Sequence, residues 1–299
     1  MSSYVQDWYH WNHRPQDVRR PPWFKSWPGG ARIAVSIKMM HEWQSLPSGG
    51  ARHGMPHGSQ TPYDYLSLGM REYGFKAGVW RLMDVLDKHK VKATAMVSGL
   101  AAELWPDSVR ALKERGHEIA THQWDQAKQP PTYKDKEEER EWLIKSMEAL
   151  KRVTGERPWG YFSQGPRCSP NTLDVIAAED FVWTADYTDA DIPYVIDVRG
   201  KKLVSVGFVR PSFTDNDLVP LGLANGERQL IDAFDATYEE AARHPMKFSY
   251  GCHTHISGGA PMARLLDRFV AHARKRDGVW FCTCAEMADF WLKGEGFKK

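Results

Sequence analysis

Polar residues able to do chemistry recur where apolar runs of this sequence end. His41 and Glu42 follow "RIAVSIKM", His122 and Asp125 stand at the end of "HEIATH", and Arg167 and Asp186 follow "WGYFS" and "FVWTAD". Asn216 and Asp217 come after "KLVSVGFV", and His253 and His255 after "KFSYGC". A carboxylate, imidazoles and a guanidinium are the parts needed to activate water, give a proton to a leaving nitrogen and steady an oxyanion. One stretch, "THQWDQ", looks like half of a zinc site: a second histidine four residues after His122 would complete the pair, but Gln126 stands there. Trp43 and Trp124 flank the same positions and would either stack on a flat ring or pack in the core.

These residues need a scaffold that brings strand ends to one mouth. From "ARIAVSIKMM" onward, short β-like runs alternate with segments of helical spacing. The strands predicted are "RIAVSIKM", "KATAMVS", "HEIATH", "WGYFS", "FVWTAD", "KLVSVGFV", "KFSYGCH" and "VWFCTC". Between them lie helical candidates such as "GVWRLMDVLDKH", "AAELWPDSVRALKER", interrupted at Pro106, and "KDKEEEREWLIKSMEALKRV". Ser169 and Pro170 make a helix start, because Ser caps open N–H groups and Pro fits the first turn. This βα repetition predicts an α/β fold, a distorted (β/α) barrel over residues 30–299, with 1–29 as an extended N-terminal arm. No glycine fingerprint follows a strand, which counts against a nucleotide cofactor. His53 and His57 lie in a Gly- and Pro-rich stretch that reads as a lid over the mouth.

The motifs "GVWRLMDVLDKHKVKATAMVSG", "GHEIATH", "TGERPWGYFSQGPRCSPNT", "DYTDADIPY", "GCHTHISGGAPMARLLDRFV" and "GVWFCTCAEMADFW" resemble the polysaccharide deacetylase superfamily, specifically its intracellular allantoinase-like and cyclic-imidase-like branch. The resemblance runs from about residue 28 to 293. It implies a carboxylate base after the first strand, here Glu42, with histidines from the third and seventh, His122 and His253. In the metal-dependent members an aspartate stands where this chain has Trp43, and a second histidine where it has Gln126. Two of three metal ligands are thus replaced, and one imidazole does not hold Zn²⁺ where tetrahedral sites need three or four protein ligands. The expectation is hydrolysis of a non-peptide C–N bond in a small cyclic amide, imide or ureide without a catalytic metal. Trp43, Trp124, Asp125, Gln126, Arg167, Asp186, Asn216 and His255 would contact the substrate. The alternatives are a Zn²⁺ or other divalent site rebuilt from His122, His41, Asp125 and His255, as in an N-deacetylase of an acetylated sugar, a lyase or decarboxylase on a related ring, and an inactive binding barrel.

The bulk numbers narrow the partners. With 42% hydrophobic and 26% charged residues the chain can bury a full core. No run approaches the roughly 18 apolar residues of a membrane span. A net charge of +2, with its cations dispersed, gives no field for nucleic acid. Four cysteines without a CxxC pair suit a reducing compartment, and with no secretory signal pattern at the N-terminus the expected location is the cytoplasm. Thirteen tryptophans, several in the aperiodic arm, suggest a homo-oligomer, and the resemblance implies a tetramer.

Overall fold

Strand β1, Ile33–His41, is buried along its whole length because it has two apolar faces rather than one. Ile33, Val35, Ile37 and Met39 pack outward against helices, whereas Ala34 and Met40 face inward toward Met96, Ala120, Phe162 and Trp183. Lys38 shares the inner face. Its ammonium donates to the Val206 carbonyl at 3.0 Å and to Ser249 Oγ at 3.1 Å, and burial pulls it down to about 8. A continuously buried strand of this kind belongs to a parallel sheet covered by helices.

The computed structural model describes residues 18–45, 65–208 and 213–297. Most of the proposed arm and the segment with His53 and His57 lie outside the described residues. The remaining strands are β2 (Thr94–Val97), β3 (Glu118–Thr121), β4 (Gly160–Tyr161), β5 (Trp183–Thr184), β6 (Tyr194–Val198), β7 (Lys201–Ser205), β8 (Phe213–Thr214), β9 (Met246–His253) and β10 (Val279–Phe281). They form one curled sheet in the order β6-β7-β5-β4-β3-β2-β1-β9-β8, with β10 beside the start of β1. The sheet and its helices make the distorted (β/α) barrel that the sequence predicts. Every pairing is parallel except β6 with β7.

Eight strands are predicted and ten are found among the described residues. The two additional strands are the short β8 and β6, which pairs back on β7 through a turn at Arg199 and Gly200. Both turn residues have positive φ, 53° and 90°, as a two-residue hairpin requires. Arg-Gly is a weaker hairpin signal than Asn-Gly, so the strand is hidden in an otherwise loop-like stretch. Pro106 does divide its helical segment, into Gly99–Leu104 and Pro106–Glu114.

Register brings the strand ends level. Met40 pairs with His253, His41 with Val97, Val97 with Thr121, and Thr121 with Tyr161. The residues immediately beyond, Glu42 and His122, therefore emerge at one rim beside His253. The opposite end is closed by Trp23, Phe24 and Trp27, whose rings pack on Trp280, Phe290 and Trp291 while Trp27 Nε1 donates to the Met246 carbonyl at 2.7 Å. The described part of the arm thus spends its aromatic surface on its own chain.

Helix α1 (Tyr65–Tyr73) runs through a π-helical turn, Gly74–Gly78, into α2 (Val79–Lys88). This rod is held against the turn after β9: a Cβ at Gly78 would lie 2.0 Å from the Thr254 carbonyl oxygen. Gly78→Ala is expected to destabilise the chain by about 1–3 kcal/mol, the usual range for overpacking. Thermal unfolding measures it, and an unchanged Tm would show that the two backbones are free to part.

Candidate active site

Glu42 is the hub of the rim. Its Oε2 accepts from Gln126 Nε2 at 2.5 Å and lies 3.2 Å from His122 Nε2. Its Oε1 lies 3.5 Å from Arg71 Nη1 and 3.9 Å from His253 Nε2. Burial alone would raise the carboxyl, but the fields of His253, His122 and Arg71 outweigh it and hold Glu42 below the usual carboxylate range. His122 is oriented by its other nitrogen, since Nδ1 is 2.7 Å from the Phe162 carbonyl and must donate to it. The Nε2 contact with Glu42 then requires one proton between ring and carboxylate.

His253 has the opposite disposition. Nδ1 sits 2.6 Å from Asp215 Oδ1, and Asp215 Oδ2 accepts from the His253 backbone N–H at 2.6 Å and Ser257 Oγ at 2.7 Å. Burial pushes the imidazole toward neutrality, yet the Asp215 and Glu42 carboxylates prevail and raise it to about 9. At neutral pH it is an imidazolium, with Nε2 3.9 Å from Glu42 Oε1. The rim therefore holds an anionic carboxylate and a protonated imidazole side by side, the pairing that general base and general acid need.

Other predicted residues are used differently. His41 is fully buried: Ser108 Oγ donates to the Trp105 carbonyl, so it accepts from His41 Nε2 at 2.8 Å, leaving Nδ1 to accept from Thr254 Oγ1 at 3.2 Å. Burial lowers its pKa to about 3, and the neutral ring is a crosslink with no lone pair left for a metal. Asp125 is occupied likewise, its Oδ1 accepting from the backbone of Ser45 and Ala127. Trp43 packs on Phe75 and Trp105, and Trp124 lies beside Trp142 with the Lys145 ammonium 3.8 Å over its ring. Both tryptophans belong to the core, the packing alternative. Asp186 accepts from Ser163 N and Oγ, Cys168 and Thr184, and with burial raising its carboxyl it ties the ends of β4 and β5 together. Arg167 is exposed and donates to Gln129 Oε1 at 2.8 Å. Asn216 is exposed in the short helix Asp215–Leu218, where Asp217 caps Thr214. His255 is buried, its ring 5.5 Å from that of His253.

The structure thus joins Glu42, His122, Gln126, His253 and His255, and adds three residues the sequence reading passed over: Asp215, Ser257 and Arg71. Asp215 immediately precedes Asn216, so the "TDND" string carried the signal without saying which side chain turned inward.

A metal of the kind the deacetylases use does not fit the donor set of the described residues. Among the described residues no group of three or more His, Cys, Asp or Glu side chains is arranged to hold one. Gln126 presents an N–H donor to Glu42, and His122 Nε2 and Glu42 Oε2 face each other at hydrogen-bond distance.

A curled parallel barrel with a carboxylate and two imidazoles on one rim defines a class, the polysaccharide deacetylase-type fold. Residues 69–180 match the polysaccharide deacetylase family model. The chain is 27% identical to the PuuE allantoinase structure, with a TM-score of 0.82 over 95% of this chain and 99% of that one. It is 28% identical to the structure of a probable polysaccharide deacetylase from Pseudomonas aeruginosa PAO1, with a TM-score of 0.79 over 95% and 100%. The peptidoglycan deacetylase of Helicobacter pylori is 24% identical over 81% of this chain and 92% of its own. Together these findings show that the chain has the polysaccharide deacetylase-type fold and that its residues 69–180 resemble that family.

Proposed function

We propose that the chain is a hydrolase of a non-peptide C–N bond in a small cyclic amide, imide or ureide. The observation that carries this reading is the Asp215–His253 pair set 3.9 Å from Glu42, an acid and a base on one rim. Water attacks the carbonyl carbon as Glu42 takes its proton, with His122 and Gln126 steering the carboxylate. The C–N bond then breaks as His253 Nε2 gives its proton to the leaving nitrogen. The likeness to an allantoinase over nearly the whole chain supports a ring substrate.

The second reading is N-deacetylation of an acetylated sugar, favoured by the likeness to a peptidoglycan deacetylase. One experiment separates them: turnover of cyclic ureides, cyclic imides and N-acetylated sugars, with metal content measured on the same preparation. The expected result is ring opening that survives chelators, with less than one equivalent of transition metal bound. Sugar deacetylation lost on chelation and restored by zinc would reverse the assignment.

A further inference from the structure

Arg71 is the one guanidinium that reaches Glu42 among the described residues. It is 12% exposed, lies 3.5 Å from Glu42 Oε1, and hydrogen-bonds Gln44 Oε1 with its second terminal nitrogen. Arg167, the guanidinium expected to contact the substrate, is instead exposed. We propose that Arg71 is a positioning residue that fixes the Glu42 carboxylate for attack and sets the spacing of base and acid. The proposal rests on the hydrolase reading above.

Three observations converge. Oε2 of Glu42 is already held by His122 and Gln126, so Arg71 supplies the restraint on the other oxygen and stops the carboxylate rotating. The fork bridges Glu42 and Gln44, two residues of the segment leaving β1, and so fixes that backbone as well as the side chain. The helix that carries Arg71 continues through the π-helical turn seated against the Thr254–Gly258 backbone, directly behind His253, and Arg81 of α2 hydrogen-bonds the Gly258 carbonyl. Single π-helical turns inside helices are common at functional sites. One rod thus contacts the base through Arg71 and the support of the acid through Gly78.

The charges decide how this is tested. Glu42 is faced by His41, His122, His253 and Arg71, and His253 by Asp215, Glu42, His255 and Arg71. Arg71 acts on both partners in the same direction, lowering Glu42 and lowering His253. In the full chain, Arg71→Met is expected to move both limbs of the kcat/KM pH profile to higher pH and to lower kcat by about 10²-fold, the scale of a misplaced reacting group. Arg71→Lys should return the limbs toward their original pH while kcat stays low, since an ammonium keeps the charge but not the fork. NMR titration of the His253 ring gives a readout without substrate. Limbs and titration unmoved in Arg71→Met, with activity lost only in proportion to folded protein, would overturn the proposal and leave the hydrolase reading standing. A shifted His253 titration, with no turnover of cyclic substrates by the unsubstituted chain, would uphold the link from Arg71 to His253 and remove the reaction assigned to it.

Discussion

Glu42→Gln is expected to lower kcat by about 10² to 10⁴-fold while the barrel stays folded. Gln keeps the length and planarity of Glu and can still accept from Gln126 and lie beside His122, but it cannot take a proton from water. It also leaves Arg71 and His253 facing a neutral amide, so His253 loses one of the two carboxylates that raise it. The alkaline limb of the pH profile should accordingly move to lower pH in whatever activity remains. The measurement is steady-state kinetics on a substrate found by the turnover screen, with circular dichroism to check the fold. Rates close to those of the unsubstituted chain would show that another group takes the proton, and His122 would be the next to replace.

Asp215→Asn is the second large effect. The amide still accepts from Nδ1–H, so the ring stays oriented, but the buried charge is gone. His253 should fall from about 9 toward the ordinary histidine value of about 6.5, leaving only a few per cent of the acid form at pH 8. The expected loss in kcat at pH 8 is about 10² or more, shrinking as the pH is lowered. The stability change has a defined sign. His253 is raised in the folded state, so its contribution is complete below about 6.5 and disappears as the pH rises through about 9. The variant should therefore melt below the unsubstituted chain at pH 6 and approach it at pH 10. A pH-independent loss of Tm would mean that Asp215 acts through packing alone.

How much of this was legible beforehand depended on whether the information was local. The barrel followed from alternating strand and helix signals, and β1 from its uninterrupted apolar run. Glu42, His122 and His253 were candidates because parallel strands in register send their ends to one rim, and the family resemblance singled them out among the polar residues just past each run. The same rule produced Arg167, Asp186 and Asn216, which leave strand ends but turn to solvent or tie neighbouring loops together. The periodicity of a strand says nothing about direction beyond its last pair. Arg71 gave no signal at all, since it lies on a helix 29 residues from Glu42 in sequence and reaches the site only because that helix crosses the rim. Trp43 and Trp124 had both a stacking and a packing reading, and the hydrophobic core took them.

The aromatic closure at the far end of the barrel has a practical consequence for spectroscopy. Trp23, Trp27, Trp280 and Trp291 lie there as one group, with ring centroids from 4.9 to 6.3 Å apart. Rings this close exchange excitation energy, so the four emit as a coupled group, separate from the Trp43–Trp105 pair, 6.1 Å apart beside Glu42. Replacing Trp23 or Trp27 with Phe would therefore isolate the emission that reports on whether residues 18–31 remain docked from the emission of the tryptophans near the mouth.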